Sequence, residues 1–377
     1  MKNIYVVVGA GLAGASAARI LAEADKRVLV IERLRHVAGH AYDEFDENGI
    51  LIHKYGPHIF HTKEKKVFDF VSKFTNWHYY QHRVLSYVDG MLVPFPINRD
   101  TINSLFGVNI STSQVEEFLK KEVESSDFND PPQNFEDAVI SQVGRRLYEK
   151  FFKNYTIKQW NRDPRELSAD IARRIPTRSN RDGRYFSDRY QGLPKFGYTK
   201  MVENILNHPN ISLLTNCDYF EIKDELKPNL TVYTGELDKF FDYSNGELEY
   251  RSLELIFETL EETQHQQVAV VNYPNDYDWT RITEFKLITG QRSNKTVLCY
   301  EYPKDKGEPY YIVMSEENMK KRAMYMKEVE KLEKSGEYLF VGRLAEYKYY
   351  NMDQVILASM EKISRWLKGY SRKSRVK

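Results

Sequence analysis

The feature that most constrains this chain is a glycine turn set between two short apolar strands in its first thirty-two residues. Ile4-Tyr5-Val6-Val7-Val8 is β-branched and suited to a strand. It breaks into Gly9-Ala10-Gly11-Leu12-Ala13-Gly14, and an alanine-rich, helix-prone stretch follows over residues 15–22. A second apolar run, Arg27-Val28-Leu29-Val30-Ile31, ends at Glu32. Strand, glycine turn, helix, strand and acid, in that order and spacing, spell a βαβ unit that binds a dinucleotide. Gly9 makes the tight turn, Gly11 lets a pyrophosphate approach the backbone, and Gly14 lets helix and strand pack closely. The helix N-terminus offers N–H groups and a positive dipole end to the phosphates. Glu32 is placed to accept from ribose hydroxyls and favours an adenosine ribose without a 2′-phosphate. The unit predicts an adenine dinucleotide, either NAD or FAD.

The rest of the chain narrows the choice. After Glu32 comes an arginine-bearing loop, Arg33-Leu34-Arg35-His36-Val37-Ala38-Gly39-His40, where a simple NAD dehydrogenase would begin another β-α repeat. Flavoproteins of the glutathione-reductase type continue the cofactor site through such a loop. No second GxGxxG follows a strand, so a separate NADPH-binding unit is not expected. With 377 residues, two or three domains are expected. The net charge of +1 gives no global pull toward nucleic acid or membrane. Cys217 and Cys299 are far apart, which argues against a disulfide framework. His58 and His61 lack a third ligand at zinc spacing, so no metal is expected. No apolar run approaches membrane-spanning length and the first strand starts at residue 4, so the expectation is a soluble, cytoplasmic protein without membrane insertion.

Strand signals mark residues 84–88 and 91–93 around the Asp89-Gly90 turn. Helical periodicity takes over from residue 101 to about 172, with Val115, Phe118, Leu119 and Val123 on one face and Phe135, Ala138, Val139, Val143, Leu147 and Phe151 on another. This predicts a helical insertion in the nucleotide domain. Residues 211–214 and 230–235 read as further strands of the parallel sheet, and 338–341 as one more buried strand, running into Arg343. Residues 268–272, 282–285, 297–300 and 310–313 read as an antiparallel sheet. Charged residues 316–334 and apolar-striped residues 352–367 read as two late helices.

Between Gln159 and Pro194 stand eight arginines (162, 165, 173, 174, 178, 181, 184 and 189) and no lysine. Arginine gives bidentate, permanently charged contacts to phosphate. Most of the eight are expected to pair with Asp163, Asp170, Asp182 and Asp188, but a phosphate-bearing substrate needs only two. Arg173-Arg174 lies in a proline-bounded connector, and Arg281 and Arg343 are further candidates. Tyr155, Trp160, Tyr185, Phe186 and Tyr190 interleave with the arginines and offer faces on which a base can stack. The 27 tyrosines suit a large polar ligand. No Ser-His-Asp order, P-loop or carboxylate pair signals hydrolysis.

Longer strings carry a resemblance. His53-Lys54-Tyr55-Gly56-Pro57-His58-Ile59-Phe60-His61-Thr62, Tyr155-Thr156-Ile157-Lys158-Gln159-Trp160 and Tyr185-Phe186-Ser187-Asp188-Arg189-Tyr190-Gln191-Gly192 resemble bacterial UDP-galactopyranose mutases. So do Phe241-Asp242-Tyr243, Leu248-Glu249-Tyr250-Arg251-Ser252-Leu253 and Gly342-Arg343-Leu344-Ala345-Glu346-Tyr347-Lys348-Tyr349-Tyr350. The resemblance runs to about residue 367 and implies an α/β fold: a Rossmann-like FAD-binding domain with an inserted helical domain and an antiparallel β-sheet domain. The implied division is 1–77, 187–250 and 323–377 for FAD, 100–186 for the helical domain with its mobile substrate loop, and 78–99 with 251–322 for the sheet. The implied reaction interconverts UDP-galactopyranose and UDP-galactofuranose for cell-surface polysaccharide. In it, N5 of reduced FAD attacks the anomeric carbon and no net redox change results. By analogy the assembly is a homodimer.

Carried over by residue, the cofactor contacts are Gly9, Gly11, Leu12, Gly14, Glu32, Gly39, His40, His58, Ile59, Arg343, Asn351 and Met352. The UDP-sugar falls to His82, Tyr155, Thr156, Trp160, Tyr185, Phe186 and Asn272, with Arg174 and Arg281 on the diphosphate and Tyr311 and Tyr349 beside it. Arg174, Arg281, His58, Tyr311 and Tyr349 are the implied catalytic set. The chain departs from the family pattern at Ala38, His40, Pro57, His82, Arg83 and Asn351, where Gly, Asn, Ala, small polar residues and Asp are usual. The changes near the sugar leave UDP-N-acetylgalactosamine open as substrate. A flavin oxidoreductase of the same fold and a non-catalytic binding protein of the GDP-dissociation-inhibitor type are the competing readings, and a yellow purified protein excludes the last.

Overall fold

The computed structural model describes residues 4–174 and 177–374; the side chains of residues 173, 174 and 370–374 lie outside that description, and with them the expected contact of Arg174. Five parallel strands form the nucleotide-binding sheet, in the order Ile211–Leu214, Val28–Ile31, Tyr5–Val8, Leu230–Tyr233, Tyr338–Phe340. The two later strands expected in this sheet join it, and the buried strand Tyr338–Phe340 closes its edge. Tyr5–Val8 is buried throughout, as a central parallel strand covered on both faces must be. Helix Leu12–Glu23 buries Ala15, Ala17, Ala18 and Ala22, and these small side chains let it lie against the final helix, Met352–Ser374. Ser359 locks that contact by donating to Ala13 O at 3.0 Å. The last helix runs seven residues past the periodicity-based end at 367.

The second large sheet has seven strands, in the order Tyr311–Ile312, Tyr250–Leu260, Thr296–Lys304, Arg281–Glu284, Val270–Asn272, Val84–Val88, Met91–Phe95. The pairings are antiparallel except one: Val270–Asn272 runs parallel to Val84–Val88. The purely antiparallel expectation is corrected there. The hairpin 84–95 and the 250–312 segment come from distant parts of the chain, and their junction owes nothing to a tight turn that would force antiparallel pairing. Tyr250–Leu260 is an eleven-residue strand. Asp89 at φ 51° and Gly90 at φ 77° supply the two left-handed residues that a two-residue hairpin requires.

Residues 99–174 are helical, as the periodicity predicts, and enter the chain between strands Met91–Phe95 and Tyr190–Pro194. Their inner face buries Phe135, Ala138, Val139, Val143, Leu147 and Phe151. A π turn at Glu149–Lys153 precedes helix Asn154–Trp160 and re-aims it. Among the described residues no helix is long and apolar enough to cross a membrane.

The glycine turn is fixed by sterics. Gly9 has φ +100°, and a Cβ on Gly14 would stand 1.9 Å from Gly9 O, a main-chain atom that cannot move aside. Overpacking of a tight contact typically costs about 1–3 kcal/mol, so Gly14→Ala is expected to lose at least ~2 kcal/mol and to purify with little bound nucleotide. Urea melts and the visible spectrum check this; a wild-type midpoint would mean that the helix slides without cost.

Candidate functional site

Above the glycine turn lies a cleft of about 230 Å³, where a cavity for one water needs roughly 10–15 Å³. Gly9, Gly11, Leu12, Glu32, Gly39, His40, His58, Arg343, Asn351 and Met352 line it. Gly14 serves the packing beneath the cleft, and Ile59, 8% exposed, belongs to the core and is not among the lining residues. Gly11 caps helix Leu12–Glu23 without a side chain, and the first turn holds no acid. The helix N–H groups and dipole are thus left for an anion. Glu32 faces the cleft and also braces the turn: its Oε2 accepts Ala10 N–H at 2.7 Å and its Oε1 accepts Leu34 N–H at 2.9 Å. Each oxygen keeps a lone pair for a ribose hydroxyl. A pyrophosphate-linked dinucleotide fits this donor set.

Toward the far end, charged groups converge. Arg343 donates to His40 Nδ1 at 2.9 Å, so the ring proton lies on Nε2, 3.4 Å from Glu308, which also pairs with Arg33. His40 stacks on Tyr310 at 4.9 Å. Burial holds the His40 pKa below its ordinary value, with Arg343 adding to the effect against Glu308. His58 Nδ1 lies 2.8 Å from Gly56 O, which fixes its proton there and leaves Nε2 as an acceptor. The main-chain N–H of His58 donates to His53 Nδ1 at 3.0 Å, so the His53 ring sets the loop that carries His58. Burial, with His53 adding, pulls the His58 pKa down to about 3.

Beyond Arg343 stands a second cluster. Arg281, its side chain 26% exposed, donates to Tyr155 Oη at 3.1 Å and lies 3.3 Å from Glu301 Oε2. The two residues are opposite one another on adjacent strands, with Asn272 opposite Arg281 on the other side. Burial works against the Arg281 charge, but Glu301 and then Tyr155, Tyr311 and Tyr185 outweigh it, and its pKa is raised well above the ordinary value. Burial pushes the Tyr185 phenol up to about 12 and raises Tyr155 and Tyr311. These phenols stay protonated and can donate to an anion. Tyr311 meets Trp160 edge-on at 6.2 Å. Tyr349 lies in the field of both Arg343 and Tyr311. Thr156 is buried.

The base-stacking candidates have their own support. Phe186 stacks on His61 at 3.7 Å, and His61 is held by Asp188 at 2.8 Å. His82, buried and tied to Tyr80 Oη at 3.1 Å, packs beside Tyr185 and Phe186 and accepts Tyr185 N–H at its carbonyl. His58 and His61 thus serve different sites. Among the described residues five of these arginines pair with acids: Arg165 with Asp163 and Arg178 and Arg184 with Asp182, as the sequence suggests, but Arg162 with Glu249 and Glu166 and Arg181 with Asp100, while Asp188 goes to His61. Glu301 and Glu308 are absent from the sequence-based set. Glu301 had a signal: it shares strand parity with buried Cys299 while Tyr300 and Tyr302 alternate with it, so an acid points inward.

Fold and site together define a dinucleotide-binding enzyme of Rossmann type, with a cleft that adjoins an arginine and tyrosine cluster. The comparisons agree. The family profile described as UDP-galactopyranose mutase matches residues 150–349, and one described as an NAD(P)-binding Rossmann-like domain matches 7–74. A probable UDP-galactopyranose mutase from Klebsiella pneumoniae is 38% identical, covering 97% of this chain and 95% of its own. A dTDP-fucopyranose mutase from Escherichia coli is 34% identical over 97% and 99%. A crystal structure of reduced UDP-galactopyranose mutase superposes with a TM-score of 0.79 at 17% identity, covering 97% and 96%. The chain belongs to the UDP-galactopyranose mutase family.

The buried histidines give a pH signature. Burial lowers His53 to about 4 and His82 to about 3, alongside His58 at about 3. Below pH ~6.5 the unfolded chain takes up these protons and the folded one does not. Stability is therefore full above that pH and falls as the pH drops through the depressed values. At ~1.4 kcal/mol per pKa unit, His53 alone is worth about 3 kcal/mol. Urea midpoints should already fall between pH 6.5 and 5, above the ordinary carboxylate range, and His53→Asn should flatten that slope. A flat midpoint over this interval in the parent protein would show these rings to be solvated.

Proposed function

We propose that the chain is a flavin-dependent mutase that interconverts UDP-galactopyranose and UDP-galactofuranose. FAD would occupy the cleft over Gly9 and Gly11, and the UDP-sugar the cluster around Arg281. One observation carries the reading: Arg343 lines the dinucleotide cleft and lies in the field of Tyr311 and Tyr349, which border the Arg281 cluster. A cofactor's reactive end and a diphosphate site are thereby adjacent. The expected three-domain division, cytoplasmic residence, a homodimer and supply of cell-surface polysaccharide belong to this proposal through the family likeness.

Contracting a pyranose to a furanose requires the ring oxygen to leave the anomeric carbon, which cannot happen while UDP is attached there. The chemistry a bound flavin supplies, when reduced, is a nucleophilic nitrogen, N5, for that carbon. The protein's share is binding and electrostatics. Arg281, with Arg174 on the neighbouring connector, neutralises the diphosphate as it leaves. Tyr155, Tyr185, Tyr311 and Tyr349 donate to its oxygens, and burial keeps the phenols of Tyr155, Tyr185 and Tyr311 protonated, so they do so without adding charge. Trp160 and Phe186 hold the base. His58, neutral at working pH, presents Nε2 as an acceptor at the cleft, and Asn351 keeps an acceptor where the family pattern has a charge.

A second reading has support of its own. The dTDP-fucopyranose mutase relative, with coverage as complete as that of the Klebsiella protein, favours a dTDP-linked 6-deoxyhexose as the alternative substrate. His82 beside Tyr185 and Phe186 is the departure most exposed to such a change. Incubation with UDP-galactopyranose, UDP-N-acetylgalactosamine and dTDP-fucopyranose, read by chromatography, decides among them. Conversion is expected only after dithionite reduction, with many turnovers per reduction and no consumption of an electron acceptor. Full activity with oxidised flavin sinks the mechanism, and steady acceptor consumption makes the protein an oxidoreductase.

The arginines give a sharper test. A hydrogen bond to a charged group is worth roughly 1.5–3 kcal/mol, so Arg174→Ala should cost about ten- to a hundredfold in UDP affinity or rate. Arg281→Ala alone would strand buried Glu301, so Arg281→Ala with Glu301→Gln is the cleaner variant. Arg281→Lys should rescue poorly because the fork is lost. Turnover like the parent's in both alanine variants would remove the clamp.

A further inference from the structure

Lys158 lies on helix Asn154–Trp160, three residues after Tyr155 and two before Trp160. Its ammonium is enclosed by main-chain carbonyls of a single loop: Tyr277 O at 2.8 Å, Trp279 O at 3.0 Å, Asn275 O at 3.2 Å, and Tyr273 O. That loop joins strand Val270–Asn272 to strand Arg281–Glu284 and so delivers Arg281. Alternate carbonyls turn toward one cation, as they do where a backbone ring replaces the hydration shell of potassium. Side chains fasten the same joint. Asn275 donates to Lys150 O at 3.0 Å and accepts from Asn154 Nδ2 at 3.0 Å. Arg251 holds the end of the helix through Gln159 O at 3.0 Å.

A surface lysine ordinarily pairs with a carboxylate. This one gives up water for four neutral dipoles, and burial draws its pKa down to about 8 against the pull of Asp278 and Asp276. It remains mostly an ammonium at neutral pH. What the arrangement secures is the distance between two walls of the cluster, the helix of Tyr155 and Trp160 and the strand of Arg281. Tyr155 and Arg281 are themselves in contact at 3.1 Å.

We propose that Lys158 is a positioning residue whose ammonium locks the 273–279 loop onto the helix of Tyr155 and Trp160, setting Arg281 in register with the groups that hold the base. The inference rests on the reading of this cluster as a UDP site. It carries a chemical corollary: with the side chain cut back, the carbonyl crown is a ready cage for a monovalent cation of ammonium size. Potassium and ammonium fit such a shell, and lithium does not.

The experiment titrates UDP into the parent and Lys158→Ala by tryptophan fluorescence and follows KM and kcat, in 100 mM potassium, ammonium or lithium chloride at equal ionic strength. In lithium, Lys158→Ala is expected to lose tenfold or more in UDP affinity while keeping its flavin, with the change in KM exceeding that in kcat. Potassium or ammonium should restore at least threefold of the loss. Lys158→Arg, charged but forked, should not match the parent in any salt. A folded Lys158→Ala that binds UDP within twofold of the parent overturns the proposal, and so does recovery equal in all three salts. Hydrogen exchange on the parent protects the test against a variant that fails to fold: saturating UDP should slow exchange across 273–279, and no change there overturns the coupling. A parent that does not bind UDP at all refutes the site reading itself, which is a different outcome from these.

Discussion

A guanidinium and a carboxylate taken out of water each cost several kcal/mol, and the cost is recovered only when they meet in good geometry. Arg281 and Glu301 meet on adjacent strands in direct register, the carboxylate fully buried beneath the guanidinium. The antiparallel pairing fixes this. A slip of one residue between the two strands would put the two charges on opposite faces of the sheet, so the strand register and the site are specified together. The other Glu301 oxygen, Oε1, has no hydrogen-bond partner. Gly56, whose φ of +85° favours glycine, brings the loop of His58 past this oxygen. Burial raises the Glu301 pKa and Arg281 opposes the rise. Removing either partner leaves the other as an uncompensated buried charge, and for that reason the pair organises what surrounds it.

From that pair the charges continue in a line. Arg281, Arg343 and Arg33 run from the tyrosine cluster into the cleft, and each has an anionic or acceptor group at its side: Glu301, His40 with its Glu308, and Glu308 directly. The fixed acids keep the cations placed without a ligand. The phenols of Tyr155, Tyr185 and Tyr311 stay neutral through burial and add donors rather than charge. Under the proposed function, the dinucleotide would lie over the helix N-terminus and the diphosphate of the sugar nucleotide against Arg281.

Much of this was legible in the chain and some was not, for identifiable reasons. The βαβ unit announces itself because its constraints are local: Gly9 and Gly14 are dictated by φ and by contact with their immediate neighbours. Helical and strand periods survive wherever one face is buried, as at Val115, Phe135 and Leu147. The parallel pairing of Val270–Asn272 with Val84–Val88 was out of reach because no turn joins those strands. Glu308 could not be found from its own neighbourhood in sequence, since its partners Arg33 and His40 lie about 270 residues away. In the sequence Lys158 is one letter of the Tyr155–Trp160 string, because a carbonyl crown leaves no trace in side-chain identity.

The division of labour follows from chain order. Strands begun before the helical segment, at 84–95, are completed after it, at 250–312, so the sheet must close around the entry and exit of helices 99–174. The helix bearing Tyr155 and Trp160 is then held from two sides, by Arg251 on its final carbonyls and by the 273–279 loop on Lys158. A π turn, Glu149–Lys153, lies just before it. One sheet thus contributes Arg251, the loop that holds Lys158, and Arg281. The segment before strand Val84–Val88 and the Tyr185-Phe186 segment lie outside that sheet contact and meet each other through His82 O and Tyr185 N–H at 2.7 Å.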